Sequence, residues 1–306
     1  MTTPNEAAVN NLQRILQGAQ LPALPQSAIR LMELSRDPDN GPSEYAVPIE
    51  ADPGLTGQIL KFVNSAYFGF SREISNVKMA ITLVGIRTIK NFALWSAVFS
   101  LMPNPKCGPF DLKRLWQDSL RRGLFSRALA KLLGLKDCEE AFSAALLQDM
   151  AVPLLAKEMP KEYLELLESR QSLSRRLSDL EWERFGWTHA HAAAAMARGW
   201  KMPEEFAALL ENHTSVDEML ATRATNPDRI AVAASALLPS ISDARWSECA
   251  HFDTVYSRIR PSNGPSIQEL LGQMDQEFVE FAPVLKLTTP AKTLVAWYEE
   301  SLAATT

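Results

Sequence analysis

The stretch Pro53-Gly-Leu-Thr-Gly-Gln-Ile-Leu-Lys-Phe-Val-Asn-Ser-Ala66 determines the fold class of this chain. Its apolar side chains recur every three or four residues, at Leu55, Ile59, Phe62, Val63 and Ala66. This spacing places them on one face of a helix. The same period returns over Val77 to Val84, behind Ser75 as the expected N-cap. Since no segment alternates convincingly as a strand would, the sequence predicts an all-α fold.

Prolines mark several of the expected helix starts, because their fixed φ angle suits a first helical turn. Pro25, Pro203 and Pro227 each precede an apolar periodic segment or a pair of polar and acidic residues. Prolines and a glycine also interrupt the pattern over 103–109, which predicts a seam inside the chain. A second boundary is expected near Thr222 to Pro227, where the charge balance changes.

Length and composition restrict the class of protein. The chain has 306 residues, of which 46% are hydrophobic and 22% charged, so it can bury a large core in one extended domain or two unequal ones. No apolar run approaches the length of a membrane span, and the N-terminus lacks the features of a secretion signal. Three cysteines (Cys107, Cys138 and Cys249) stand far apart, which is typical of the reducing cytoplasm.

The charge distribution argues against nucleic acid as a partner, since the net charge is −5. Residues 214–306 carry 12 acidic and 7 basic residues, so the entire excess of negative charge lies in this last third. A neutral body and an acidic end indicate two functional regions. The chain also lacks a phosphate-binding P-loop, a dinucleotide-binding glycine motif and a GxSxG nucleophile elbow.

Three ionisable residues are expected to point into the interior. Asp149, His189 and His213 each have apolar neighbours three, four and seven positions away, so each would lie on the buried side of its helix. A buried ionisable group is costly unless it is paired, and these three therefore need partners. They could ligate iron, zinc or manganese, or they could form a hydrogen-bonded structural cluster, which is the commoner role of buried His and Asp.

A basic helical stretch surrounds Arg121 and Arg122. Charge runs on helices usually face solvent, and this interpretation is favoured here. The alternative is an anion-binding face for phosphate or a cyclic nucleotide, which rests on the charge alone.

The motifs of the first two thirds resemble the HDOD domain, a bacterial signalling module related to the HD phosphohydrolases. The blocks that carry the resemblance follow in order: Leu21-Pro-Ala-Leu-Pro25, Ile49-Glu-Ala-Asp-Pro-Gly-Leu-Thr56, Asn64-Ser-Ala-Tyr-Phe-Gly69, Ile74-Ser-Asn-Val-Lys-Met-Ala-Ile81, Leu83-Val-Gly85, Trp116, Leu146-Leu-Gln-Asp149, Phe185-Gly-Trp-Thr-His189, Trp200-Lys-Met-Pro203 and His213. The resemblance implies an HD-like helical bundle, and an output or scaffold role in which the HD metal set is incomplete.

Three positions depart from the HD pattern. Asp118 stands where related HD proteins have the histidine of Trp-x-His-Ser, and Gln148 replaces the histidine of Leu-Leu-His-Asp. Asn212 replaces the first histidine of a His-His pair. Asp118 could substitute as a metal ligand, but Arg114 at i−4 and Arg122 at i+4 favour a surface ion pair instead.

These inferences predict a helical lead-in over 1–13, an HDOD domain over 14–213 and a helical extension over 214–306. The expected function is that of a non-catalytic signalling scaffold that binds a protein on a separate chain, without nucleic acid, membrane or cofactor. The alternative is a divergent phosphohydrolase or phosphodiesterase dependent on Fe, Mn or Zn, with Asp149, His189, His213 and Asp118 as candidate ligands.

Overall fold

In the computed structural model, residues 3–19, 21–136, 138–221 and 226–304 are described, and within these ranges the regular structure is helical without a strand. The prediction of an all-α fold is therefore confirmed. The helices are α1 (Glu6–Gly18), α2 (Gln26–Leu34), α3 (Pro42–Glu50), α4 (Pro53–Val63), α5 (Val77–Val84), α6 (Ile86–Leu101), α7 (Leu112–Leu132), α8 (Glu139–Leu147), α9 (Ala151–Glu158), α10 (Pro160–Leu173), α11 (Leu177–Phe185), α12 (His189–Gly199), α13 (Glu204–Glu211), α14 (Val216–Ala221), α15 (Pro227–Ser235), α16 (Cys249–Ile259), α17 (Ile267–Phe281), a 3₁₀ turn (Ala282–Leu285) and α18 (Leu294–Ala303).

The apolar stripe of α4 is buried as predicted, except at its end. Leu55, Ile59, Phe62 and Val63 are all buried, whereas Ala66 lies beyond the helix and is exposed. The helix ends at Val63, and the side chain of the C-cap residue Asn64 donates to Ile74 O (2.8 Å) and accepts from Ile74 N (2.7 Å). The loop that follows α4 is thereby held against the helix end.

The expected helix starts are confirmed in position, although the capping details differ. The N-cap of α5 is Asn76, whose side chain accepts from Met79 N at 2.8 Å, so the assignment of Ser75 was wrong by one residue. Pro227 lies in the first turn of α15 as predicted. Pro25 and Pro203 instead occupy the N-cap positions of α2 and α13.

Helix α7 forms the centre of the molecule, packed against α8, α15 and α17. The helix can approach α8 closely because Gly123 faces Phe142, where an added Cβ would lie 3.2 Å from the Phe142 carbonyl oxygen. Packing on several sides buries polar residues as well as apolar ones along α7. This central position explains why several charged residues of α7 are buried, whereas those of a surface helix face solvent.

The C-terminal extension packs onto the rest of the chain. Phe281, at the end of α17, is buried and contacts Phe62 (5.5 Å between ring centroids) and Phe142 (5.6 Å). Trp297 and Tyr298 of α18 are also buried, as expected of a helical cap. The irregular segment between α6 and α7 contains the expected seam over 103–109, and the division into domains stays a prediction. Thr222 to Thr225, in the expected second boundary, lie outside the described residues.

Of the helices described, none combines the length and the apolar composition needed to cross a bilayer. Cys107, Cys138 and Cys249 are all free thiols in buried positions.

Candidate functional site

Asp149, His189 and His213 come together in one buried cluster, called the triad below. Only His189 lies within a helix, as the first residue of α12. Asp149 lies in the turn between α8 and α9, and His213 in the turn after α13, so these two are not helical as expected. Their direction was nevertheless predicted correctly, because a turn that continues a helix by one or two residues keeps the orientation of its last apolar face.

The three side chains converge on a small volume. Asp149 Oδ1 lies 3.2 Å from His189 Nε2 and 3.7 Å from His213 Nε2, and the two Nε2 atoms are 3.2 Å apart. These separations are close to the edge, roughly 3.4 Å, of a tetrahedron around a metal ion with bonds of about 2.1 Å. The donor set of two imidazoles and one carboxylate thus fits a single transition-metal ion.

A second set of residues orients His189. The Glu181 carboxylate accepts from His189 Nδ1 at 2.6 Å and from the His189 backbone N–H at 2.8 Å. Its other oxygen accepts from the Tyr163 hydroxyl at 2.6 Å. Glu181 therefore both caps the N-terminus of α12 and fixes the imidazole ring, leaving Nε2 directed at Asp149.

His213 is fixed in a similar way by the backbone. Its Nδ1 lies 2.7 Å from Leu210 O, and a carbonyl oxygen can only accept, so the proton must be on Nδ1. Burial holds the pKa of His213 well below its usual value, with the nearby His189 acting in the same direction. The ring is neutral, and its Nε2 lone pair points into the triad.

The two Nε2 atoms require a positive species between them. Both imidazoles use Nδ1–H for other partners, so two lone pairs would otherwise face each other at 3.2 Å. A proton on His189 Nε2, shared with Asp149 and His213, removes this repulsion. A metal ion bound by all three atoms does the same.

Arg121 and Arg122 are buried, so the prediction that they belong to a solvated face is wrong. Arg122 is 8% exposed, and its guanidinium forms an ion pair with Asp149 Oδ2. Burial lowers the pKa of Arg122 to about 10. Arg121 is 2% exposed and donates to Lys292 O in the C-terminal extension. Adjacent helix positions point about 100° apart, so the two arginines do not form one ligand-binding face.

Asp118 is also buried, so the expected surface ion pair with Arg114 is wrong. One oxygen of Asp118 accepts from the Ser240 hydroxyl (2.5 Å), and the other accepts from Ile241 N (2.9 Å). Arg114 lies instead near Asp111, at 3.8 Å. Burial raises the pKa of Asp118, and the positive charge of Arg122 opposes that shift. Asp118 thus fastens the loop after α15 to α7.

Gln148 and Asn212, the other two departures from the HD pattern, turn away from the triad. Gln148 is fully buried, and its Oε1 lies 3.4 Å from the Ser235 hydroxyl, which donates to Val232 O at 2.6 Å. Gln148 Nε2 has no hydrogen-bond partner among the described residues. Asn212 donates to Ala208 O at 2.8 Å, at the end of its own helix. Both side chains therefore make structural contacts.

A cleft lies over the triad, between α7, the start of α11 and the loop that joins α15 to α16. Its lining is rich in polar and charged residues, which include Asp118, Arg122, Asp149, Arg170, Arg176, Ser178, His189, His213 and Asp243. Arg170 pairs with Asp243 at 3.0 Å, whereas Arg176 has no bonded partner among the described residues. Glu181, Tyr163 and Arg176 were not identified from the sequence. For Glu181 a signal existed, since Leu177 and Phe185 flank it at i−4 and i+4.

A family model of the HDOD domain matches residues 21–216 of this chain. An uncharacterized protein of Treponema pallidum (strain Nichols) is 25% identical over 187 residues, which are 60% of this chain and 36% of that protein. The match thus spans little more than a third of the length of this curated relative.

Solved structures share the fold. An HDOD domain protein of unknown function from Geobacter sulfurreducens superimposes with a TM-score of 0.66 and 18% identity, over 98% of this chain and 96% of that one. A provisionally named signal transduction protein from Marinobacter aquaeolei VT8 gives 0.69 and 18%, over 92% and 64%. A provisionally named phosphohydrolase from Shewanella amazonensis SB2B gives 0.68 and 18%, over 92% and 98%.

Proposed function

The chain belongs to the HDOD domain family, and from that premise we propose that it is a non-catalytic, cytoplasmic signal-transduction protein that binds a protein on a separate chain. One observation carries the proposal. At all three positions where the HD pattern has a histidine and this chain does not, the replacing side chain contacts groups outside the triad. Asp118 accepts from Ser240 and Ile241, Asn212 donates to Ala208 O, and Gln148 Oε1 lies 3.4 Å from the Ser235 hydroxyl. The side chains that replace the histidines therefore make structural contacts instead of ligating a metal.

The ion pairs and hydrogen bonds around the triad support the same interpretation, because its acidic groups have partners without a metal. Asp149 is paired with Arg122, and Glu181 accepts from His189 and Tyr163.

An exposed apolar surface on α5 and the preceding loop supports a protein partner. Phe70, Met79 and Leu83 are 38%, 45% and 46% exposed, and Phe70 and Leu83 border the same aromatic cavity. The charged residues of the same part of the chain are Lys61, Arg72, Glu73 and Lys78, all exposed, so cations exceed anions there by three to one. A partner segment that is apolar and acidic fits this surface.

The proposal is tested by capturing and identifying the partner, then measuring its affinity for purified variants. Met79→Glu/Leu83→Glu should abolish the complex, whereas Leu173→Glu, at a 58% exposed position of α10, should leave it unchanged. Binding should survive His189→Gln and Asp149→Asn in correctly folded protein. The assignment would be refuted if the His189 and Asp149 variants lost the complex while the α5 variant kept its affinity.

A second candidate, a metal-dependent phosphohydrolase, is favoured by the orientation of the imidazoles. Both rings present Nε2 to Asp149, as metal-ligating histidines do when a carboxylate or carbonyl holds Nδ1. Asp149, His189 and His213 would hold the ion, which would supply Lewis-acid polarisation of a phosphate and a more acidic bound water. Arg122 would hold Asp149 in place, and Glu181 would hold His189.

Metal content of tag-free protein, measured by plasma mass spectrometry beside a phosphoester hydrolysis screen, separates the two candidates. The scaffold proposal expects less than stoichiometric metal and no turnover in the wild type. Stoichiometric metal that disappears in Asp149→Asn, together with hydrolysis, would establish the second candidate.

A further inference from the structure

Arg176 differs from every other charged group that lines the cleft. The five acidic residues of the cleft are all bonded to other residues, namely Asp111, Asp118, Asp149, Asp243 and Glu248. Among the cations, Arg175 makes two bonds to Glu183, and Arg245 bonds Ser174. Arg176 is half-buried, and its guanidinium has no hydrogen bond or ion pair with any described residue.

Two backbone donors follow Arg176 in the chain and line the same cleft. Arg176 is the N-cap of α11, and no side chain caps the helix. Leu177 and Ser178, the first two residues of α11, are 7% and 2% exposed, and within the described ranges their N–H groups have no acceptor. Both residues line the cleft. Buried backbone donors are rarely left without a partner, and a helix N-terminus favours an anion.

Arg122 is a second arginine of the cleft whose guanidinium is not fully hydrogen-bonded. Its side chain is about nine-tenths buried and lines the cleft, and apart from the ion pair with Asp149 it makes no hydrogen bond. Arg170 and Arg176 lie close enough to Arg122 that both add to the lowering of its pKa by burial. Five arginines thus line one cleft, and among the described residues the guanidinium of Arg176 is the one without any bonded partner.

We propose that this cleft binds a small molecule through a phosphate group, held by Arg176, the Leu177 and Ser178 amides and the free edge of Arg122. A tetrahedral phosphate offers enough acceptor oxygens for two guanidiniums and two amides at once, whereas a carboxylate offers only two oxygens. Binding of this ligand requires neither a metal nor turnover. The inference therefore goes beyond the proposed function.

The test uses the full chain after removal of metal, with inorganic phosphate and AMP as probes. Adenosine serves as the control without phosphate, and sodium chloride at matched ionic strength controls for screening. Thermal melting and calorimetric titration are measured for the wild type, Arg176→Ala and Arg175→Ala. Arg175 is the matched control, because it is the next residue and lines the same cleft but is already paired with Glu183.

Phosphate or AMP should raise the Tm of the wild type and of Arg175→Ala, while adenosine and chloride should not. Arg176→Ala should bind at least about tenfold more weakly, because a charged hydrogen-bond donor is lost. Arg176→Lys should recover part of the affinity, which also covers the case in which the alanine variant folds poorly. A stronger response to AMP than to phosphate identifies a phosphate ester as the ligand, and the reverse identifies the free anion.

Equal responses of the wild type and Arg176→Ala, or no response to either probe, would overturn the inference. Phosphate binding that appears only after metal is added, and that is lost in Asp149→Asn, would also overturn it. That last result would place the anion on a metal at the triad and support the second candidate function, so the two proposals fail separately.

Discussion

Arg122 and Asp149 form a buried ion pair between the middle of α7 and the turn after α8, at the floor of the cleft. Each side chain is only 10% exposed, and the pair leaves the other oxygen of Asp149 facing His189 and His213. The arginine thereby places a positive charge directly against the buried Asp149 carboxylate. The position of Asp149 in the triad consequently depends on α7, which carries Arg122.

Arg122→Met should lower the free energy of unfolding by about 3–5 kcal/mol, because it leaves the Asp149 charge buried without its partner. Urea denaturation of the metal-free protein measures this loss. The double variant Arg122→Met/Asp149→Asn should lose less than the sum of the two single variants, since it removes both charges. Strictly additive losses would show that the two residues do not interact.

Asp118→Ala should release the loop that follows α15. The substitution removes the acceptors for the Ser240 hydroxyl and the Ile241 N–H, so hydrogen exchange at Ile241 should become faster. The expected loss of stability is about 1.5–3 kcal/mol, as for a hydrogen bond to a charged group. Asp111→Ala, at the exposed N-cap of α7, is the matched control and should leave exchange at Ile241 unchanged. Unaltered exchange in Asp118→Ala would contradict the role given to this carboxylate.

Much of the triad could be predicted from the sequence, because inward direction is a local property. The apolar neighbours of His189 lie within two turns of it, and the same holds for Asp149 and His213. Their meeting in space was suggested only by the cost of burying ionisable groups, and the family motifs supported it. The all-α fold was equally accessible, since helical periodicity recurs along the chain.

The burial of Arg121 and Arg122 could not be predicted in this way. A charge run on a helix looks the same whether or not other helices surround it, and the acceptor of Arg121 is Lys292 O, 171 residues away. Asp118 was misplaced for the same reason: its partners, Ser240 and Ile241, are more than a hundred residues distant. Local spacing therefore favoured Arg114 as its partner.

Tyr163→Phe should destabilise the protein by about 1–3 kcal/mol, because it removes a donor from the fully buried carboxylate of Glu181. Tyr256→Phe is the matched control: that hydroxyl donates to the neutral Pro265 carbonyl, so its loss should cost about 1 kcal/mol or less. Chemical denaturation of both variants gives the comparison. Equal losses would mean that the hydrogen bond from Tyr163 to Glu181 contributes no more to stability than one to a neutral acceptor.

His213 should make the stability of the metal-free protein depend on pH. Burial holds the native pKa of His213 well below 6.5, so the unfolded chain takes up a proton at a pH where the native protein does not. The stabilisation by the neutral imidazole is therefore complete above pH 6.5 and is lost as the pH falls below it. Between pH 7.5 and 5.5 the unfolding free energy of the wild type should drop by about 1.4 kcal/mol from this residue alone.

The contribution of His213 is measured by comparison with His213→Gln. Urea titrations at both pH values give the drop for each protein, and the contributions of titrating groups outside the triad cancel in the difference between them. The variant should show a drop that is smaller by about 1.4 kcal/mol. If the two proteins lost the same free energy on acidification, His213 would have to be protonated in the native state. His213 Nε2 would then carry a proton and would have no lone pair directed into the triad.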